Sequence, residues 1–135
     1  MLGGTINVKR HSESVLATMV LFASANSVFA QSSSEVLAKL SENLSIVRSA
    51  SGTELVGTEP IDVEGLLGVS RTEIANVLGN PSSCDQATTE TCNSQSQWQY
   101  LFFYLPPGWR GGGPELWLTF NSAGEVEKAE WRHSR

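Results

Sequence analysis

The chain has 135 residues, with nine Lys and Arg against fourteen Asp and Glu, and its formal net charge at pH 7 is −5. This length is sufficient for one small domain with a single hydrophobic core. An acidic chain without a cluster of Lys and Arg lacks the electrostatic surface that nucleic acids require, so nucleic acid is excluded as the expected partner.

The first thirty residues have the pattern of an export signal. Lys9 and Arg10 form a positive segment, residues 15–22 an apolar run, and Val28-Phe29-Ala30 the small-x-small motif that precedes a cleavage site. A membrane anchor is the alternative, but the apolar run is shorter than the ~20 residues needed to cross a bilayer. We predict cleavage after Ala30 and a periplasmic or secreted mature chain without a transmembrane segment. Since no cysteine lies at the cleavage site, no lipid anchor is predicted.

Cys84 and Cys92 are the only cysteines of the chain. In an exported protein an even pair is expected to be oxidised, and the intervening residues 85–91 are polar enough to form a closed surface loop. A metal site would need further ligands, and His133 is the only histidine after the export signal, while a redox pair usually has the Cys-x-x-Cys spacing. We therefore predict a structural disulfide, no metal and no cofactor.

Residues 31–64 are predicted to form a helix followed by a connecting arm. The helix runs from Ser34 to Arg48, and apolar residues recur along it at helical spacing, which predicts one buried face: Val36, Leu37, Leu40, Leu44 and Val47. Residues 49–59 are polar and interrupted by glycines, and Pro60 keeps the residue before it extended. This segment is therefore predicted to be an irregular arm.

A second, shorter helix is predicted just after Ser70. Ser70 and Glu73 have the spacing of a capping box, in which both side chains satisfy free amides at the start of a helix. The predicted apolar face of this helix contains Ile74, Val77 and Leu78. Gly79 favours the left-handed conformation that ends a helix and Pro81 prevents its continuation, so the helix is predicted to have about two to three turns.

Three aromatic-rich segments, at residues 97–105, 116–120 and 125–133, predict an antiparallel sheet. In the third segment Val126 and Ala129 are out of phase with strict alternation. A β-bulge near Glu127-Lys128 is therefore predicted, because it places both residues on the same face as Trp131.

The first predicted strand has two different faces. One carries four aromatic residues: Trp98, Tyr100, Phe102 and Tyr104. The other begins polar and becomes apolar at Leu101, Phe103 and Leu105. This change predicts that the far end of the strand is covered on both faces or meets a partner.

Together these elements predict an α+β fold in which two helices pack on one face of a three-stranded antiparallel meander, in the order α-α-β-β-β. Residues 65–135, which hold the second helix and the sheet, are predicted to belong to the same domain as residues 31–64. Leu78, Trp98 and Phe120 are predicted to be core residues where helix meets sheet.

Residues 65–131 contain four short motifs: Gly68-Val69-Ser70 before the second helix, Leu78-Gly79-Asn80-Pro81 after it, Trp98-x-Tyr100 on the first strand, and Leu116-x-Leu118-x-Phe120-x-x-x-Gly124-x-Val126 on the hairpin. In this order they resemble the small outer-membrane lipoprotein family called SmpA/OmlA or BamE. The resemblance implies the α-α-β-β-β fold that this family shares with the β-lactamase inhibitor proteins, and a role in protein–protein contact in the cell envelope. The chain departs from the family pattern in lacking a lipid-attachment cysteine and in the loop between Cys84 and Cys92.

No combination of residues in the chain predicts catalysis. His133, near the C-terminus, is the only histidine available as a base for nucleophilic chemistry. The carboxylates, among them Asp62 and Asp85, are scattered over loops and helix surfaces. Gly111-Gly112-Gly113 lacks the Lys-Ser or Lys-Thr of a phosphate-binding loop. The chain is therefore predicted not to be an enzyme.

The predicted contact site is the loop of residues 106–114 between the first two strands. It has nine residues, four of them glycine, whereas such a hairpin needs only about two to five. Trp109 and Arg110 are of the types most enriched at binding hot spots, and with Phe103 and Leu105 they are the candidate partner-binding residues. In the alternative, Trp109 folds back over Phe103 or Leu105 and the glycines only allow the chain to turn.

The sequence thus predicts a non-catalytic protein-binding module of the cell envelope, as a component or accessory factor of outer-membrane assembly or of envelope integrity. A secreted or periplasmic inhibitor of a hydrolase is the alternative within the same fold. A small enzyme is the alternative from another class.

Overall fold

The computed structural model describes residues 32–84 and 89–135 of the chain. The predicted export signal and its cleavage site after Ala30 lie outside the described residues, as do residues 85–88 between the two cysteines. Residues 33–135 form one compact unit. Within the described ranges, no helix has both the length and the apolar character needed to cross a bilayer.

In the described residues the helical elements are α1 (Ser33–Arg48), α2 (Arg71–Leu78) and two short 3-10 turns (Glu64–Leu66 and Thr89–Ser94). The strands there are β1 (Val56–Gly57), β2 (Ser83–Cys84), β3 (Gln97–Leu101), β4 (Phe103–Tyr104), β5 (Pro114–Phe120) and β6 (Val126–His133). They form a four-stranded antiparallel sheet in the order β2-β3-β5-β6 and a separate two-stranded antiparallel sheet of β1 and β4.

Helix α1 confirms the predicted N-terminal helix and its buried face. It begins at Ser33 and ends at Arg48, close to the predicted bounds. All five apolar residues of the helical repeat are buried: Val36, Leu37, Leu40, Leu44 and Val47. The helix packs against α2 and against the 3-10 turn at Glu64–Leu66, so its apolar stripe closes one side of the core.

Helix α2 begins and ends where its sequence signals place it. The hydroxyl oxygen of Ser70 accepts a hydrogen bond from the backbone N–H of Glu73 at 3.2 Å. At the other end Gly79 has a φ of 76°, a conformation that favours glycine, and its N–H donates to the carbonyl oxygen of Ala75 at 2.9 Å. The helix therefore stops after Leu78, at the short length predicted.

The buried face of α2 differs from the prediction at one position. Ile74 and Leu78 are buried as expected, but Val77 is 39% exposed. Ala75 takes its place and packs against the hydrophobic core. Residues 74, 75 and 78 lie on one side of the helix, whereas residue 77 lies at the edge of that side. The prediction for Val77 is wrong.

The prediction of a single three-stranded meander is also wrong, although the α+β class is consistent with the structure. Strands β3, β5 and β6 pair antiparallel in chain order. Beside β3, however, β2 adds a fourth strand, with Ser83 opposite Gln99 and Cys84 opposite Trp98. A polar strand of two residues has no alternation, and periodicity therefore does not reveal it.

The two-stranded sheet is the second departure from the meander. Its residue pairs are Val56 with Tyr104 and Gly57 with Phe103. The predicted long strand of residues 97–105 is therefore divided after Leu101, and the predicted irregular arm of residues 49–59 contains a strand. Two-residue pairing between segments so far apart in the chain is a tertiary contact without a local sequence pattern.

The third long strand, β6, confirms the predicted β-bulge. Thr119 lies opposite Lys128, but the next residue, Phe120, lies opposite Val126, which leaves Glu127 as the extra residue. The extra residue restores the phase, and three apolar residues reach the core side: Val126, Ala129 and Trp131.

The core residues predicted at the junction of helix and sheet are confirmed. Leu78 and Trp98 are each 1% exposed and Phe120 is 3% exposed. The rings of Trp98 and Phe120 meet edge to face with centroids 4.9 Å apart. The indole N–H of Trp98 donates to the carbonyl oxygen of Cys92 at 2.7 Å, so its polar atom is satisfied inside the core.

Candidate functional site

Cys84 and Cys92 are paired, as predicted. Their sulfur atoms are 1.98 Å apart, at bonding distance, and the separation of their Cα atoms, 5.6 Å, is ordinary for a disulfide. The bond joins β2 to the 3-10 turn at Thr89–Ser94. Cys92 is 1% exposed and its carbonyl oxygen binds the indole of Trp98, so the pair stabilises the core beside β3.

The predicted binding loop begins with a tight turn. Pro106 is buried, and the N–H of Trp109 donates to the Pro106 carbonyl oxygen at 3.1 Å. Gly108 has a φ of 84°, which the turn requires and which a residue with a side chain rarely adopts. The entry of the loop is therefore fixed by its own chain.

The exit of the loop is fixed by Gly113. Its N–H donates to the Ser134 hydroxyl oxygen at 3.2 Å, and its carbonyl oxygen accepts from the Ser134 N–H at 3.0 Å. A Cβ atom at Gly113 would lie only 2.8 Å from the Cβ of Phe103, so glycine lets the loop pack directly on that aromatic side chain. At Gly112 a Cβ would approach the Ser134 carbonyl oxygen to 2.7 Å. Both glycines allow close contacts that any larger residue prevents.

Trp109 and Arg110 lie at the tip between these two anchors. The side chain of Trp109 is 51% exposed and Arg110 is exposed. Phe103 and Leu105, the other candidate residues, are half-buried at the base of the loop. The structure thus places all four candidates in and around one loop, and their role in binding a partner stays a prediction.

A buried carboxylate supports the base of the loop from β5. Burial alone raises the pKa of Glu115, but hydrogen bonds from the side chains of Gln99, Trp117 and Ser134 outweigh this effect and the pKa is lowered. The Gln99 amide donates at 2.8 Å and the Trp117 indole at 3.0 Å. Ser134 also forms hydrogen bonds with Gly113, so the ionised carboxylate is linked through Ser134 to the residue that fixes the exit of the loop. The sequence analysis missed this network, because Gln99 and Ser134 lie more than 15 positions from Glu115 in the chain.

The sheet face opposite the helices is a second candidate surface that the sequence analysis missed. The guanidinium of Arg132 lies 4.4 Å from the ring centroid of Trp117. It also contacts Glu130 at 2.6 Å, and Lys128 lies 3.5 Å from the same carboxylate group. The hydrogen bond from Arg132 lowers the pKa of Glu130. Both cations of this face are thus engaged with Glu130, and Arg132 also with Trp117.

Among the side chains that the structure describes, no group of three His, Cys, Asp or Glu residues converges in a way that could hold a metal ion. His133 is exposed at the end of β6. Tyr100 is fully buried, its hydroxyl donates to the Gly79 carbonyl oxygen at 2.8 Å, and burial raises its pKa above the usual range. This hydroxyl therefore has a structural role between β3 and the end of α2.

The fold and this loop define the chain as an α+β protein with an anchored, aromatic-tipped loop. No protein-family model, curated protein or solved structure matches it. The resemblance to the SmpA/OmlA (BamE) family accordingly stays a prediction from the four sequence motifs.

Proposed function

We propose that this protein is a non-catalytic binding module of the cell envelope that recognises a protein partner through the tip of the loop at residues 106–114. The observation that carries the proposal is the half-exposed side chain of Trp109 beside the exposed Arg110. Both residues lie on a loop whose two ends are held by the protein's own contacts.

Anchoring makes the loop suitable for binding. A loop that is already ordered loses less conformational entropy when a partner binds than a free glycine-rich loop would. The turn at Pro106–Trp109 and the contacts of Gly113 hold the backbone on both sides of the tip. Trp and Arg in such a position supply a large apolar area and a planar set of hydrogen-bond donors.

The chemistry of the loop indicates the chemistry of the partner. The loop contains no carboxylate and Arg110 is its only charged residue, in a chain whose formal net charge is −5. The expected partner surface has an apolar pocket for the indole of Trp109 and a carboxylate within reach of the Arg110 guanidinium.

The location in the cell and the biological setting are further parts of the proposal. The export pattern of residues 1–30 supports a periplasmic or secreted location. The motif resemblance supports a role as a component or accessory factor of outer-membrane assembly or envelope integrity.

The test compares capture of envelope proteins by the wild type and by a Trp109→Ala, Arg110→Ala double variant. We expect the double variant to lose the specific partner and to keep its melting temperature, because both side chains are exposed and neither contributes to the core. Binding is then measured with the purified partner by calorimetry.

A matched control is the Leu67→Ala, Lys39→Ala double variant, which removes one exposed apolar and one exposed basic side chain that belong neither to the loop nor to the contacts that anchor it. The proposal expects this control to retain the partner. Equal capture by wild type and loop variant, or loss of capture only in this control, would contradict it. If the captured protein is a hydrolase that the pure wild-type protein suppresses, the module acts as an inhibitor, which is the alternative from the sequence analysis.

A further inference from the structure

A cleft of about 370 Å³ lies between α2 and the 3-10 turn that follows the disulfide. Its lining residues are Arg71, Thr72, Ala75, Asn76, Asn93 and Trp98. This volume is at the lower end of the range for small-molecule sites. The cleft lies near the start of β3, whereas the binding loop follows β4, so the two sites are separate in the fold.

The arginine of the cleft is held in position by three neighbours. Its Nε donates to the carbonyl oxygen of Gln95 at 3.2 Å, and its guanidinium carbon lies 4.9 Å from the ring centroid of Phe120. A Cβ atom at Gly124 would be 3.1 Å from the Nη1 atom of Arg71, which shows how closely the guanidinium abuts the hairpin turn. The side chain is therefore pre-organised before any ligand arrives.

Arg71 forms no ion pair with any side chain that the structure describes, in residues 32–84 and 92–135. Within 4.0 Å, the ion pairs there involve Lys39, Lys128 and Arg132. None of the described lining residues of the cleft is a carboxylate. A positive cleft in a chain whose formal net charge is −5 selects for a negatively charged group.

The remaining lining residues of the cleft indicate which chemical groups of a ligand would lie next to its negatively charged group. Asn76 and Asn93 present carboxamides and Thr72 a hydroxyl, all of which both donate and accept hydrogen bonds. A fully ionised phosphate offers only acceptors, whereas a backbone amide offers an N–H donor and a carbonyl acceptor, so both the NH2 group and the carbonyl oxygen of an Asn side chain can pair with it. Ala75 and Trp98 supply an apolar part of the wall.

We infer that this cleft binds the terminal carboxylate of a small peptidic ligand. Arg71 pairs with the carboxylate, and Asn76 and Asn93 hydrogen-bond the neighbouring amide. The cleft volume fits a ligand of about two amino-acid residues. This site is independent of the proposed loop, and its ligand is a small molecule or a free chain end.

The disulfide contributes one wall of the site. Asn93 directly follows Cys92, whose bond to Cys84 fixes the 3-10 turn against β2. The turn is held on its other side by the hydrogen bond from the Trp98 indole to the Cys92 carbonyl oxygen, so the position of Asn93 is fixed by both contacts.

The first test is an NMR titration of the ¹⁵N-labelled protein with N-acetyl-Ala-Ala, with the C-terminal amide of the same peptide, and with inorganic phosphate. We expect the acid to shift the Asn93 amide and Trp98 indole resonances, and the amide to bind at least about tenfold more weakly because it has no charge for Arg71. Equal binding of acid and amide, or phosphate binding as tight as the acid, would overturn the inference.

The second test uses substitutions. Asn76→Asp places a negative charge in the wall and is expected to weaken binding of the acid at least about tenfold, since like charges repel in a confined site. Asn80→Asp is the matched control, because Asn80 is also exposed but does not line the cleft, and it should change affinity less than about twofold. Equal effects of the two variants would refute the assignment.

Arg71→Gln tests the role of the guanidinium directly. We expect the variant to bind the peptide acid and the peptide amide equally well. Its melting temperature is measured in parallel to show that it is folded. A preference that survives this substitution in folded protein contradicts the inference. If the variant does not fold, the two Asn substitutions still decide the question.

Discussion

Phe102 is the residue at which the chain passes from one sheet to the other. Its N–H donates to the Pro114 carbonyl oxygen at 3.0 Å, and its carbonyl oxygen accepts from the Thr58 N–H at 3.2 Å. Its side chain is fully buried and meets Trp131 edge to face, with ring centroids 5.0 Å apart. The backbone of Phe102 therefore forms hydrogen bonds to segments of both sheets, and its ring packs in the core that the two sheets share.

Glu115 provides a prediction at the residue scale. Because its pKa is lowered in the folded protein, the ionised carboxylate stabilises the fold above its unfolded pKa, near the usual 4.5, and this contribution is lost as the pH falls through the lower folded value. We expect Glu115→Gln to lower the melting temperature at pH 7. The difference from wild type should disappear in acid, where the wild-type carboxylate is protonated as well.

The measurement is thermal unfolding of both proteins from pH 7 down to about pH 2.5, below the pKa range of carboxylates. Glu59→Gln serves as a control at an exposed position and should change the melting temperature little at any pH. A difference for Glu115→Gln that stays constant over the whole range would show that the side chain acts through packing and not through its charge.

At the scale of elements, α2 is held to the sheet by very few residues. Ile74 and Leu78 are the buried side chains of the helix, and its C-terminal end is bound by the Tyr100 hydroxyl through Gly79. An eight-residue helix has little stability of its own, so its docking depends on this burial.

Leu78→Ala is therefore expected to lower the free energy of unfolding by about 2–5 kcal/mol, because it removes a fully buried side chain and leaves a cavity. Val77→Ala is the matched control on the same helix, since Val77 is 39% exposed, and it should cost well under about 1 kcal/mol. Urea unfolding measures both. An unchanged midpoint for Leu78→Ala would mean that α2 does not pack as described.

At the scale of the whole molecule, the long edge strand β6 is protected against pairing with another chain. Its start is covered by the segment before α2, where the Val126 N–H donates to the Val69 carbonyl oxygen at 2.9 Å. Farther along it carries a bulge and the charged residues Glu127, Lys128, Glu130 and Arg132. Bulges and charges are the usual means by which proteins prevent association at sheet edges.

The exported form provides a prediction at the same scale. We expect intact mass spectrometry under non-reducing conditions to show a chain that begins at Gln31, lighter than the dithiol by the pair of hydrogens lost on oxidation. Reduction and alkylation are the control, and should add two alkyl groups, at Cys84 and Cys92. An uncleaved N-terminus would refute the export prediction, and alkylation without prior reduction would refute the disulfide.

Several parts of this protein depend on local patterns and could be predicted from neighbouring residues. The 3.6-residue repeat of α1, the cap at Ser70 and the stop at Gly79 are encoded in neighbouring residues, so both helices were predictable. The phase break between Val126 and Ala129 predicted the bulge, and the pair of cysteines in a chain predicted to be exported indicated the disulfide. For the candidate site, composition identified Trp109 and Arg110.

The pairing of distant segments could not be predicted in this way, because it depends on the fold of the whole domain. The strands at Val56–Gly57 and Ser83–Cys84 are too short for any periodicity, and they exist because β4 and β3 offer them a free edge. The close contacts of Gly113 with Phe103 and Ser134, and the convergence of Arg71 with Asn93, join residues about 10 to 20 positions or more apart. Such contacts are set by the packing of the whole core, because the local sequence of a short segment does not specify which distant segment will lie beside it.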